Sequence, residues 1–191
     1  MSDSLLVDAH PDEPDPGTIA QRSAMSVPRL LCRSRDGVAV TYDPVGSHAA
    51  THFADTPGLL EATALVLGRM SIVGGPRVNT SDAGYIVGTS DLVPIRSGDR
   101  IVYAQRTGRD VYSVFNCSRD PWPCSLVTTV LEEPDEKGAR LLRTAWVGTA
   151  APPFPGDQCS SPESLDFWSQ NALAWGNQQV RPGTVTTVCP W

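Results

Sequence analysis

Hydrophobic positions along this chain fall mostly in short runs rich in β-branched and aromatic residues, separated by glycine, proline and charged residues, which is the pattern typical of β-strands. Runs over residues 30–32 and 38–42 flank Asp36-Gly37 and predict a hairpin with a tight turn. Further strands are predicted over residues 85–90, 100–105, 125–131 and 139–147, with a final edge strand over 184–191.

Two segments follow the period of a helix instead. Thr56 is a suitable N-cap and Pro57 suits the first helical position, which predicts a helix from residue 57 to about residue 70. A second helix is predicted to begin at Ser161-Pro162. Apolar residues on one face of that helix are expected to pack on the sheet: Leu165, Trp168, Ala172 and Trp175. We predict an α+β fold, an antiparallel sheet of about four to six strands with two helices packed on it.

Charge is distributed unevenly. The 191 residues carry a formal net charge of −6, but residues 1–20 contain five acidic residues and no lysine or arginine. The rest of the chain holds 16 acidic and 15 basic residues, so it is nearly neutral. The proline-rich acidic segment over residues 11–16 cannot bury enough apolar surface to offset the entropy lost on ordering. We therefore predict a disordered acidic tail over residues 1–25 and a single α+β domain over residues 26–191.

Hydropathy and cysteine usage narrow the class of protein. No apolar run approaches the roughly 20 residues that cross a bilayer, and the N-terminus lacks the basic start and long apolar stretch of a secretory signal. We interpret the chain as cytoplasmic and expect no membrane partner. The five cysteines are an odd number without a C-x-x-C pair, which argues against a disulfide framework or a structural zinc site. We expect no cofactor and no metal.

The segment over residues 99–119 is the strongest candidate for a functional site. It combines arginines with aromatic residues, and guanidinium groups beside ring faces suit phosphate binding and base stacking. The alternative is that these arginines only keep an edge strand soluble and unpaired. Thr107-Gly108 is a turn-like pair that would present the arginines on either side of it together. The residues are Arg100, Tyr103, Arg106, Arg109, Tyr112, Phe115 and Arg119.

Two histidines precede the first predicted helix. His48 and His52 are four residues apart, so a helix over residues 47–53 would place both imidazoles on one face. Metal ligands often show this spacing, but the glutamate of the zinc-protease pattern is missing. An imidazole also suits proton transfer near neutral pH. The alternative for His52 is a capping or packing role.

Three short motifs follow one another in the chain: Y-A-x-R-x-x-R over residues 103–109, P-P-F-P-G-D over 152–157 and F-W at 167–168. Together they resemble an uncharacterised group of bacterial proteins, over roughly residues 45–191. That group implies no activity. The layout, a histidine-bearing helix followed by an antiparallel sheet with an arginine-rich strand end, also resembles the superfamily of barnase, colicin nucleases and RelE toxins. This second resemblance implies metal-independent cleavage of RNA.

The leading hypothesis is therefore a metal-independent ribonuclease or an RNA-binding domain, with RNA as its partner. The catalytic candidates are His52, Arg106, Arg109 and Tyr103, and the substrate-binding candidates are His48, Arg100, Tyr112 and Arg119. One alternative is a non-catalytic module that binds a small molecule or a protein through the sheet or the helix carrying Trp168 and Trp175. Another is a small biosynthetic enzyme acting on a metabolite without phosphate.

Overall fold

The computed structural model describes residues 27–176 and 179–191. The predicted acidic tail over residues 1–25 lies outside the described residues. Within them are three helices: α1 (His48–Asp55), α2 (Leu59–Arg69) and α3 (Pro162–Gln170). The same part of the chain has eleven strands: β1 (Arg29–Arg33), β2 (Ala39–Tyr42), β3 (Val78–Asp82), β4 (Gly88–Ser90), β5 (Leu92–Pro94), β6 (Ile101–Gln105), β7 (Tyr112–Asn116), β8 (Trp122–Cys124), β9 (Leu126–Leu131), β10 (Arg140–Val147) and β11 (Asn171–Ala174).

These strands form a five-stranded sheet in the order β1-β2-β10-β9-β3, a four-stranded sheet in the order β5-β11-β7-β6, and the two-stranded ribbon β4-β8. The strands β2 and β10 run parallel, as do β7 and β11, and the other pairs are antiparallel. The mixture of helices and strands is as predicted. The prediction of a purely antiparallel sheet is wrong, because both larger sheets contain a parallel pair. The described residues also contain more strands and one more helix than predicted. The alternation of apolar and polar residues predicts where a strand lies, but it does not show which strand elsewhere in the chain pairs with it.

The first core lies between α2 and the five-stranded sheet. Leu59, Ala62, Val66 and Leu67 are each at most 2% exposed and pack in one cluster with residues of β9 and β10. The helix begins two residues later than predicted, after Gly58, whose φ of 83° lies in the left-handed region. Thr56, the predicted N-cap, instead ends the preceding helix α1.

The second core lies between α3 and the four-stranded sheet, where Trp168 packs with Val114 and Ala172. The predicted start of α3 is confirmed, because Ser161 and Ser164 form a capping box. The predicted apolar face is wrong. The helix ends at Gln170, so Ala172 belongs to β11, and Leu165 is 48% exposed.

The C-terminal segment follows the free edge of β6. Tyr103 and Thr186 exchange two backbone hydrogen bonds of 2.8 and 2.9 Å, and the backbone N–H of Arg181 donates to Gln105. The predicted edge strand over residues 184–191 is reduced to a bridge at Thr186, with a second bridge between Arg106 and Val180. This segment covers the edge that leads into the arginine-rich turn.

Within residues 27–176 and 179–191, no helix combines the length and apolar character needed to cross a membrane. No group of three or more histidine, cysteine, aspartate or glutamate side chains in the same residues is arranged to hold a metal ion. All five cysteines are free thiols.

Candidate functional site

A cleft of about 680 Å³ is lined by residues from both the five-stranded and the four-stranded sheet regions. Its walls are formed by α1, the region of β4 and β5, the turn after β6, the end of β10, the segment over residues 149–154, and α3. Clefts that bind small molecules typically enclose about 300 to 1,000 Å³. The cleft is therefore large enough for a nucleotide-sized ligand.

Helix α1 brings the two histidines into this cleft. Its N-cap, Ser47, accepts a hydrogen bond of 3.0 Å from the backbone N–H of Ala50 through its hydroxyl, as a serine at this position does. Ala49 is fully buried and packs in the first core, which anchors the helix. His48 and His52 both line the cleft, with ring centroids 4.5 Å apart. The helix α1 was not among the two predicted helices, but it meets the condition under which the four-residue spacing places both rings on one face.

The surroundings of His52 favour its neutral form. Burial lowers the pKa of His52 below its ordinary value, and the positive charge of neighbouring His48 lowers it further, while Asp55 acts in the opposite direction. At neutral pH the imidazole of His52 is therefore available to accept a proton. His48 is the more exposed of the two rings.

A tight turn contributes Arg106 and Arg109 to the lining of the same cleft. The backbone N–H of Arg109 donates to the carbonyl of Arg106 at 3.0 Å, and Gly108 inside the turn has a φ of 76°. This left-handed conformation is readily adopted by glycine, which explains the Thr-Gly pair in the sequence. Both arginine side chains line the cleft.

The two arginines repel each other. Burial lowers the pKa of the Arg106 guanidinium, the charge of Arg109 lowers it further, and Asp91 raises it. Arginine nevertheless stays protonated in proteins. Two fixed like charges at one wall create a positive potential that an anion in the cleft would relieve.

Arg181 supports this turn from the C-terminal segment, a role that was not predicted. Its guanidinium donates to the side chain of Gln105 at 3.0 Å and forms an ion pair of 3.1 Å with Asp110. It also donates to the backbone carbonyl of Arg109 at 3.4 Å. Arg181 lies more than 70 residues from the turn in sequence, so no local pattern indicated it.

An aromatic wall closes the cleft beside α3. Trp168 is 3% exposed, and its indole N–H donates to the carbonyls of Pro152 and Pro153 at 3.1 and 3.2 Å. Phe154 stacks on Trp168 with centroids 4.0 Å apart. The proline-rich segment is thereby fixed against the helix. Trp175 lies after β11 and is 36% exposed, so it does not share one helix face with Trp168.

Two carboxylates also line the cleft, those of Asp91 and Asp157. Neither was predicted as a site residue. Asp157 ends the P-P-F-P-G-D motif, which was a signal in the sequence, whereas Asp91 follows a short strand without any distinguishing pattern. The lining of the cleft therefore combines basic and acidic side chains, and the basic ones come from two elements, α1 and the turn after β6.

Gly148 allows the end of β10 to approach the opposite wall of the cleft. A Cβ atom at this position would lie 2.6 Å from the hydroxyl oxygen of Ser90, and the φ of 108° is strained for other residues. Ser90 itself lines the cleft and is 4% exposed. The glycine thus sets how closely the two walls pack.

Four of the eight predicted site residues lie elsewhere. The strand β6 places Arg100 and Arg106 at its opposite ends, about 20 Å apart along an extended chain. Four of the eight predicted residues line the cleft: His48, His52, Arg106 and Arg109. The other four do not line it: Tyr103, Arg100, Tyr112 and Arg119.

Tyr103 and Arg119 have structural partners instead. The ring of Tyr103 packs edge-on against Trp191 at 5.2 Å, and burial together with a hydrogen bond to Cys189 raises the pKa of Tyr103 to about 12. Arg119 forms an ion pair of 2.9 Å with Asp99. Hydrogen bonds from Arg119 and Asn116 lower the pKa of Asp99 to about 2. The site roles predicted for Tyr103 and Arg119 stay predictions, and neither residue lines the cleft.

Comparison of the chain with protein-family models, curated proteins and solved structures finds no match.

Proposed function

We propose that the cleft binds a phosphodiester group of RNA and cleaves it without a metal ion. The observation that carries this proposal is that two histidines of α1 and two arginines of the turn after β6 line one cleft of nucleotide size: His48, His52, Arg106 and Arg109. The arginines supply the positive potential for the phosphate, and the histidines supply proton transfer.

The reaction uses the ribose 2′-hydroxyl as the nucleophile. His52, held neutral by burial, accepts the 2′-hydroxyl proton as the oxygen attacks phosphorus. The bond from phosphorus to the 5′-oxygen breaks, and protonated His48 donates a proton to that leaving oxygen. The products are a 2′,3′-cyclic phosphate and a 5′-hydroxyl, so atoms and charge balance without a co-reactant.

The arginine pair stabilises the charge that develops on the phosphate oxygens. Cations aimed at such a group act most strongly in the transition state, when the negative charge is largest. Arg106 is half-buried, so its attraction for an anion is screened less by water than that of a fully exposed arginine. Arg181 and the short turn keep the pair in place, which limits the reorganisation needed on binding.

The test is incubation of a single-stranded RNA oligonucleotide with the protein in excess chelator. We expect cleavage products with 2′,3′-cyclic phosphate ends, and no cleavage of a DNA oligonucleotide of the same sequence, because DNA lacks the 2′-hydroxyl. His52→Asn is expected to lower the rate about 10²- to 10⁴-fold. Thr51→Ala, an exposed change on the same helix, is the matched control and should retain activity.

The absence of RNA cleavage by the folded wild-type protein would refute the catalytic proposal. Equal loss of activity in His52→Asn and Thr51→Ala would instead assign the effect to the helix rather than to the imidazole. Circular dichroism of each variant establishes that the fold is intact before rates are compared.

A further inference from the structure

A second, smaller cavity of about 220 Å³ adjoins the cleft. Its lining comes from the start of β7, from the middle of the P-P-F-P-G-D segment and from the C-terminal segment: Asp110, Val111, Tyr112, Pro155, Gly156, Pro190 and Trp191. The volume corresponds to that of about seven water molecules in the liquid. It suits one planar ring system and is too small for a whole nucleotide.

The two cavities are neighbours along two separate stretches of chain. Val111 lines both of them. Residues 109–112 contribute Arg109 to the cleft and Tyr112 to the small cavity. In the second stretch, Phe154 and Asp157 line the cleft, and the two residues between them line the small cavity. Three residues of extended chain span at most about 10 Å, so the Cα atoms of Arg109 and Tyr112 lie within that distance of each other.

The walls of the small cavity are flat and aromatic. Tyr112 and Trp191 provide two rings, and two prolines complete the lining. Tyr103 packs edge-on against the ring of Trp191 with an interplanar angle of 89°, which fixes the orientation of the indole. A rigid, partly exposed aromatic surface is what a nucleobase stacks on, since every base has a π-face.

The charge of the small cavity differs from that of the cleft. Among the described residues that line it, Asp110 is the one charged side chain, and its carboxylate is ion-paired with Arg181 at 3.1 Å. A phosphate therefore finds no cation on this lining, whereas an uncharged planar group meets no electrostatic penalty. The cleft therefore suits the charged phosphate of a nucleotide, and the small cavity suits its uncharged base.

We propose that this small cavity is a nucleobase subsite, in which a base stacks on Tyr112 and Trp191 while its phosphate is held at Arg106 and Arg109. This inference rests on the proposed function for its phosphate site but not for the cleavage step. It identifies the ligand as a nucleotide rather than a bare phosphate ester.

The test compares ligands with and without a base by isothermal titration calorimetry. The probes are adenosine 5′-monophosphate, adenosine 3′-monophosphate and ribose 5-phosphate. We expect the better-bound of the two adenosine nucleotides to bind at least about tenfold more tightly than ribose 5-phosphate, the scale expected for base stacking. Trp191→Leu and Tyr112→Leu should each reduce this ratio towards one without changing the affinity for ribose 5-phosphate.

The matched control is Tyr85→Leu, because Tyr85 is exposed and lines neither cavity. It should leave the ratio unchanged. If the nucleotides and ribose 5-phosphate bind equally, the base subsite is refuted while the phosphate site stands. If none of the probes binds, both proposals are refuted. The use of two subsite variants keeps the result interpretable where one of them does not fold.

Discussion

The two ends of the β6–β7 hairpin carry arginines in opposite surroundings. At the open end, Arg119 is ion-paired with Asp99, which also accepts hydrogen bonds from Asn116 and from the backbone of Arg96. At the turn, Arg106 lies beside a second arginine and faces the cleft. At the open end a direct ion pair holds the guanidinium of Arg119, whereas at the turn the charge of Arg109 opposes that of Arg106 and Asp91 acts in the other direction. The difference lies in the neighbouring charges of each arginine, because a guanidinium that is bound in a direct ion pair has less capacity left for a ligand.

The electrostatic free energies of the ion pair and of the arginine pair support this distinction. An ion pair with a carboxylate that is 5% exposed satisfies both partners and leaves no potential for a ligand. Two neighbouring guanidinium groups repel each other, and the free energy of that repulsion is recovered when an anion binds between them. The arginine pair at the turn is therefore electrostatically less favourable in the free protein than the ion pair at the open end, and it gains more from binding an anion.

The largest expected effect comes from removing the arginines at the turn. Arg106→Ala combined with Arg109→Ala is expected to lower kcat/KM for RNA by at least about 10³-fold, because each transition-state donor is worth about 10²- to 10³-fold. The counterpart at the open end, Arg100→Ala combined with Arg119→Ala, should retain activity within about tenfold while lowering the melting temperature. Equal losses of activity in the two double variants would break the comparison between the ends of the hairpin.

A smaller effect on rate is expected from His48→Asn. The variant should lose about 10²-fold in kcat, because the proposed general acid has been removed. The acidic limb of the pH profile reports His52, whose pKa lies below its ordinary value and should rise when the charge of His48 is absent. Steady-state rates between pH 5 and 9 measure kcat and the position of this limb. A kcat and an acidic limb that are both unchanged would rule out His48 as the acid.

The smallest effect, on stability alone, concerns the open end. Because the pKa of Asp99 is lowered to about 2 from 3.8, its ionised form stabilises the fold above pH 3.8, and this contribution is lost as the pH falls from 3.8 towards 2. Asp99→Asn should therefore unfold at lower denaturant concentration than wild type at pH 7, and the difference should narrow in acid. Glu136→Gln, in an exposed loop, is the control. A difference that does not change with pH would contradict this account of the cluster.

Local chemistry explains which elements were predictable. The first hairpin, the start of α3 at Ser161-Pro162 and the strands β6, β9 and β10 follow from turn residues, capping and β-branched runs. The helix α1 was not among the predicted helices, although its N-cap Ser47 and the helical spacing of His48 and His52 are local signals of the same kind. Each of these depends on residues close together in the chain.

The features that were missed depend on distant residues. Parallel pairing of β2 with β10 joins strands about 100 residues apart, and β11 was hidden because Ala172 continues the helical spacing of Trp168. In the site, the turn pair Arg106 and Arg109 was predictable, whereas the support from Arg181 was not. Arg100 and Arg106 are close in the sequence, but the length of β6 separates them, which is why the arginine-rich segment does not form one site.

The most direct test of the central claim is an NMR titration of His52 with and without inorganic phosphate. The account predicts that His52 titrates below its ordinary value in the free protein, and that phosphate raises its pKa because a bound anion favours the imidazolium form. It also predicts that Arg106→Ala combined with Arg109→Ala abolishes this upward shift. A His52 pKa that is unchanged by phosphate, or a shift that persists without both arginines, would contradict the claim that these groups share one anion site.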